Sequence, residues 1–151
     1  MSEFSTVDEI LDYAIGMEQA AVDLYTKIAD QAATDVAKKV FLGFAAEERG
    51  HKSKLEAVKA GKKFVGSAKA VQDLKIADYT NDVVLTETPT YEEILLFAMK
   101  QEKQAFRMYT DLAARCERED LRELFLLLAQ EEAKHKLRFE VEYDEHCLTE
   151  N

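Results

Sequence analysis

Residues 41–52 read FLGFAAEERGHK, and residues 125–136 read FLLLAQEEAKHK. Each stretch carries Glu-x-x-His, as Glu48–His51 and Glu132–His135, and the copies lie 84 residues apart. On a helix, a spacing of three puts both side chains on one face about a turn apart. Working outward, a lone glutamate stands 30 residues before each pair, at Glu18 and Glu102, and the same 84-residue offset relates these two. Four carboxylates and two imidazoles in a duplicated helical hairpin are the ligand set of a two-metal site inside a four-helix bundle.

The repeat extends beyond the motif. Residues 6–60 align without gaps on residues 90–144, with 18 of 55 positions identical, which points to an ancient duplication. Both copies open on Thr-x-x-Glu (Thr6–Glu9 and Thr90–Glu93), a capping box at a helix start. Apolar residues recur at steps of three and four in all four segments. They predict helices over about 6–30, 35–60, 90–115 and 120–143. The expected inner faces are Leu11, Ala14, Glu18, Val22, Tyr25 and Ala29 on the first, and Phe41, Phe44, Glu48, His51, Leu55 and Val58 on the second. On the third they are Leu95, Ala98, Glu102, Phe106, Tyr109 and Ala113, and on the fourth Leu121, Phe125, Leu128, Glu132, His135 and Phe139.

The predicted fold is therefore all-α. Two antiparallel hairpins, 6–60 and 90–144, are joined by a crossover over 61–89, long enough to run the length of a bundle. A short helix is expected within it, over about Ser67–Ala77. With 151 residues, the whole chain reads as one domain, 1–151, able to bury a substantial core. One proline and five glycines favour long helices over a turn-rich β fold.

Charge and composition exclude several functions. A net charge of −10 argues against nucleic acid held through its phosphates. The start, MSEFSTVDE, has neither the basic nor the apolar region of a signal peptide, and the longest apolar runs are too short for a bilayer. Cys116 and Cys147 fall near opposite ends of the last expected helix, too far apart to bridge, which suits a reducing cytoplasm. No CxxC pair occurs, so no cysteine metal site of the rubredoxin or zinc-ribbon type is encoded.

The ionisable residues of the motif fall on the apolar stripes, where an uncompensated charge costs several kcal/mol, in round terms, even after relaxation. Two divalent cations would cancel four carboxylates, with neutral imidazoles completing the coordination. Such a mixed oxygen and nitrogen set suits iron, manganese or zinc. A single Glu-x-x-His is weak evidence in a chain with 19 glutamates, but two at equivalent places in a repeat are specific. His146 lacks the motif and is expected in a solvated tail. Tyr25 and Tyr109, two turns beyond Glu18 and Glu102, could donate hydrogen bonds to ligand carboxylates or serve only as core aromatics. Glu47 and Glu131 could hold the outer N–H of a ligand histidine, or simply be solvated.

At this point the chain resembles the ferritin-like di-iron carboxylate proteins, and among them the rubrerythrins. The resemblance covers both hairpins. It implies a ferritin-like bundle with Glu18, Glu48, His51, Glu102, Glu132 and His135 as ligands of two iron ions, and it matches Tyr25 and Tyr109 to the family's site tyrosines. It also implies reduction of hydrogen peroxide or dioxygen, protection from oxidative stress, and a homodimer. Ala105 stands where rubrerythrins carry an additional ligand glutamate, so a ligand exchange through that position is not carried over. No rubredoxin-like domain is present, which makes the electron donor a separate protein such as a rubredoxin. Arg49 occupies the place of a bacterioferritin's haem-binding methionine, so no haem is expected, and too little chain follows Tyr143 for the fifth helix of a storage cage. The alternatives are a ferroxidase that handles iron, a metal-binding module without turnover, and a hydroxylase of an organic substrate.

Overall fold

The computed structural model describes residues 6–61 and 74–150. Its helices are α1 (Val7–Gln31), α2 (Asp35–Ala60), α3 (Tyr91–Arg115) and α4 (Glu119–Glu150), with one 3-10 turn at Ile76–Asp78. The starts of the first three are set by threonines that satisfy otherwise unpaired first-turn N–H groups. Thr6 Oγ1 accepts from Glu9 N, Thr34 Oγ1 from Ala37 N and Thr90 Oγ1 from Glu93 N, each at 3.1 Å. At Thr90 the box is reciprocal, because Thr90 N also donates to Glu93 Oε1.

The chain forms a four-helix bundle in which α1 packs along α2 and α3 along α4, the two hairpins meeting face to face. Its interior is two apolar cores separated by a charged belt. One core gathers Ile10, Leu11, Leu55, Met108, Leu112 and Phe125, with Tyr109 and Phe125 stacked at 6.4 Å. The other gathers Tyr25, Ile28, Phe41, Ile94, Leu95 and Phe139, where Phe41 and Phe139 stack at 5.3 Å and 15°. Between them the buried ionisable residues Glu18, Glu48, His51, Glu102, Glu132 and His135 share one level of the bundle.

The described part of the crossover is fastened to α1 and α3. Tyr79 is buried and donates to Asp111 Oδ2 at 2.6 Å, while Tyr13 donates to its carbonyl. Gln104 donates to the Thr80 carbonyl, and Asn81 to the Phe97 carbonyl and Gln101 Oε1. These contacts step backward along α3, so the segment travels from the late end of α3 toward its start. The helix expected over Ser67–Ala77 lies mostly outside the described residues.

Two expectations need correction. Helix α4 does not stop at Tyr143 but runs on to Glu150, since nothing after Tyr143 is a glycine or proline that would break it. His146 is consequently not in a free tail: it packs edge-on against Tyr91 at 5.1 Å, with Nε2 3.7 Å from Glu92 Oε1. Phe106 was expected inside, yet it is 41% exposed, whereas Val22 at the matching place in the first hairpin is buried. The inner stripe of α3 passes instead through Ala105 and Tyr109.

Candidate metal centre

Each helix brings its ionisable residue to the belt by the same local device, an apolar stripe interrupted once. Glu18 comes from α1 and Glu102 from the neighbouring α3, and the Glu-x-x-His pairs of α2 and α4 complete the belt. His51 Nδ1 lies 3.0 Å from Glu132 Oε1 and 3.5 Å from both Glu18 Oε2 and Glu48 Oε1. His135 Nδ1 lies 2.9 Å from Glu48 Oε1 and 3.8 Å from Glu102 Oε2. The imidazole rings are 6.4 Å apart and nearly parallel, at 19°.

These six residues resolve into two overlapping groups. Glu18, Glu48, His51 and Glu132 offer ligand atoms within 4.8 Å of one another, and so do Glu48, Glu102, Glu132 and His135. Glu48 and Glu132 belong to both. The sequence left open which carboxylates are shared; the geometry places the shared pair on α2 and α4 and the single ones on α1 and α3.

Whether a metal fits is decided by what these atoms otherwise lack. Glu18 Oε2, both oxygens of Glu48, His51 Nδ1, Glu102 Oε2, Glu132 Oε1 and His135 Nδ1 are buried without a hydrogen-bond partner. Every one of the six residues therefore contributes an orphaned atom, and all of these atoms face the same small volume. Leaving a buried polar atom unsatisfied costs about 1–3 kcal/mol, so seven at one point favour a cation that satisfies them together. Oxygen and imidazole donors suit a first-row divalent metal.

The electrostatics agree. Burial raises the Glu18 and Glu132 carboxyls well above the ordinary range, and the neighbouring carboxylates add to it. Burial likewise pushes Glu102 up to about 7. Burial lowers the His51 imidazole, but Glu18 and Glu48 outweigh it and bring the pKa to about 10. Without a metal the belt thus retains protons, the response of carboxylates crowded out of water. Glu48 goes the other way: despite its burial, the neighbouring Glu18 and Glu132 carboxyls and the His135 and His51 imidazoles around it hold it below the usual carboxylate range.

The surrounding residues are asymmetric, although the repeat is not. Tyr109 donates to Glu18 Oε1 on the facing helix, and burial, reinforced by the Glu18 charge, raises its phenol well above normal. Tyr25 is as deeply buried, but its hydroxyl has no hydrogen-bond partner among the described residues; it meets His135 edge-on at 6.1 Å. Glu47 Oε2 lies 2.5 Å from His135 Nε2, leaving Nδ1 directed inward. Glu131 sits beside Glu47 and His135, and no hydrogen bond joins it to either histidine among the described residues. Phe44, which sequence reasoning assigned only to the core, stacks on the His135 ring at 4.1 Å. Its place on the ligand face, four residues before Glu48, was the available signal; the matching residue in the second hairpin is Leu128.

Ala105 is buried beside this belt, as is Ala21 at its equivalent, so neither α1 nor α3 offers a second carboxylate one turn after its ligand candidate. No helix among the described residues is long and apolar enough to cross a membrane.

Comparison with known proteins agrees with this architecture. No curated protein matches the chain significantly. A solved structure, a hypothetical protein from Pyrococcus furiosus, superposes with a TM-score of 0.70 at 22% identity, covering 92% of this chain and 89% of that one. That likeness shows the fold. The family model described as Rubrerythrin matches residues 9–90 and 93–151, and these cover nearly all of the chain. With its duplicated Glu-x-x-His hairpins and buried carboxylate belt, the chain belongs to the rubrerythrin family.

Proposed function

We infer that the chain is a non-haem di-iron oxidoreductase that reduces hydrogen peroxide or dioxygen with electrons from a separate donor, and so protects against oxidative stress. The observation that carries this reading is the pair of four-residue groups sharing Glu48 and Glu132, an arrangement suited to two ions at close range rather than one. Two ferrous ions held there would supply the two electrons that, with two protons, convert one peroxide to two waters.

The protein's own part is to position ligands, balance charge and exclude water. Four carboxylates offset two divalent cations. Glu47 accepts from His135 Nε2–H, which fixes the tautomer that presents Nδ1 to the metal. Tyr109 fixes one oxygen of Glu18 and leaves the other directed at the centre. Phe44, Tyr25 and Phe139 wall one side.

The test is substitution at a shared and an unshared ligand. Glu48→Ala and His135→Ala should each lose bound iron and peroxide turnover together. Full turnover by either variant would sink the assignment. Iron that oxidises once and cannot be re-reduced through repeated cycles would instead favour an iron-handling ferroxidase.

A further inference from the structure

The duplication supplies an internal comparison, and the two hairpins differ on the outside of the metal belt. In the second hairpin a groove opens between α3 and α4, lined by Lys103, Phe106, Ala133, Lys136, Leu137 and Glu140. Its apolar part is exposed: Phe106 at 41% and Leu137 at 61%. At the matching place in the first hairpin, Val22 is buried, Ser53 replaces the leucine, and Lys52 Nζ closes over Gln19 Oε1 at 2.8 Å. In the second hairpin that pair has become Lys136 and Lys103, two cations that cannot bond, and the notch stays open.

The charge around it is also unusual for this molecule. The chain has 30 acids and 20 lysines and arginines. Yet residues 100–107 and 133–140 together contain Lys100, Lys103, Arg107, Lys134, Lys136 and Arg138 against two acids, the buried Glu102 and the groove-lining Glu140. Lys136 is paired with Glu140, Lys100 with Asp82 and Arg138 with Glu142, Arg138 also lying over the Phe41 ring of α2, but Lys103, Arg107 and Lys134 have no ion-pair partner among the described residues. The corresponding stretches of the first hairpin, 16–23 and 49–56, carry three cations and three acids, the buried Glu18 with Asp23 and Glu56.

The groove lies at the same level of the bundle as the metal belt. Lys103 follows Glu102, Ala133 follows Glu132, and Lys136 follows His135. A molecule seated there is separated from the ligands by roughly one helix diameter, about 10–12 Å, a span that electrons cross readily through packed protein.

We propose that this α3–α4 groove is the docking site of a small acidic electron-transfer protein, whose apolar tip covers Phe106 and Leu137 while its carboxylates meet Lys103 and Lys136. The proposal rests on the redox function inferred above, since it names where the external electrons enter. Each docking delivers one electron, so two dockings replace the pair that one peroxide consumes with two protons to give two waters. A small basic patch with a short apolar floor suits such a transient complex, where charge sets the encounter rate and the interface stays small. A second copy of this chain would instead need a larger dry surface and would bring a further charge of −10.

The test uses the iron-loaded protein and an oxidised rubredoxin as the acidic probe. Calorimetric titration should show saturable binding at 20 mM salt that weakens at least tenfold by 200 mM. Lys103→Glu with Lys136→Glu should weaken it at least tenfold more, while Arg49→Glu with Lys54→Glu, an equal charge change on the first hairpin, should alter it less than twofold. If the double reversal fails to fold, Lys103→Gln with Lys136→Gln gives the same comparison, with a smaller loss. Peroxide turnover by chemically reduced protein, measured in parallel, should be unchanged in these variants. Its absence in the wild type would remove the redox reading, whatever the binding shows. Binding that is absent, or equally weakened by both pairs of reversals, overturns the docking site and leaves the redox reading standing. A wild-type dimer that the groove variants dissociate in sedimentation also overturns it, because the groove would then be filled by a second copy.

Discussion

Glu47 and Glu131 occupy the same place in the repeat, but among the described residues only Glu47 is hydrogen-bonded to a histidine of the belt. Removing such an outer partner weakens metal binding by roughly 10–100-fold. Glu47→Ala should therefore fall in that range and Glu131→Ala well short of it, as read by competition with a chelator. Equal losses would show that the asymmetry around His135 has no consequence. The titrating groups of the belt set a pH dependence with a definite sign. Glu102, held at about 7, keeps a proton in the folded, metal-free protein that the unfolded chain releases above about 4.5. Its contribution therefore becomes less favourable as pH rises through that interval. His51, raised to about 10, stabilises below about 6.5, and that stabilisation is lost as pH rises through 10. Both make the metal-free protein weaker toward alkaline pH. Glu48 acts oppositely, but in acid, below 4.5. Metal binding displaces these protons. The melting temperature gained on loading should thus be larger at pH 8 than at pH 5.5; an equal or smaller gain at pH 8 would contradict the assignment.

At the scale of the helix, periodicity and capping threonines were enough to place three helices within a residue of their ends. All six ligand candidates, and every expected inner residue but one, are buried as read. The exception is instructive. Glu102 can be followed at i+3 or i+4 on a helix face, and nothing local distinguishes Ala105 from Phe106. In this bundle α3 turns the small residue inward, toward Tyr109, and the large one out. At the end of α4 the sequence holds no breaker after Tyr143, and the helix runs on to Glu150. The roles of the shared carboxylates, and the contact between Glu47 and His135, join residues about 84 apart and were legible only once the helices were packed. Burial now predicts contrasting costs. Phe139→Ala, fully buried and stacked on Phe41, should lose about 3–5 kcal/mol. Phe106→Ala, on the surface, should stay within about 1 kcal/mol. Denaturant midpoints of the loaded protein would check both, and comparable losses would mean that Phe106 is buried in solution.

For the whole molecule, the arrangement is two apolar cores that together hold a charged belt neither could tolerate alone. The cores favour folding, the empty belt opposes it, and a cation in the belt changes the sign of its contribution. Metal binding only to the folded state adds stability by mass action, about 2.7 kcal/mol at a hundredfold excess over the dissociation constant. A strong chelator should therefore lower the melting temperature, and identical curves with and without it would argue that the belt holds no metal. The central claim is that two ions share Glu48 and Glu132, and anaerobic titration with Fe(II), followed by hydrogen peroxide, tests it most directly. The account predicts saturation at two irons per chain, then rapid oxidation with the near-ultraviolet absorption of an oxo-bridged pair, repeatable after each reduction. Saturation at one iron, or no tight binding at all, would contradict it.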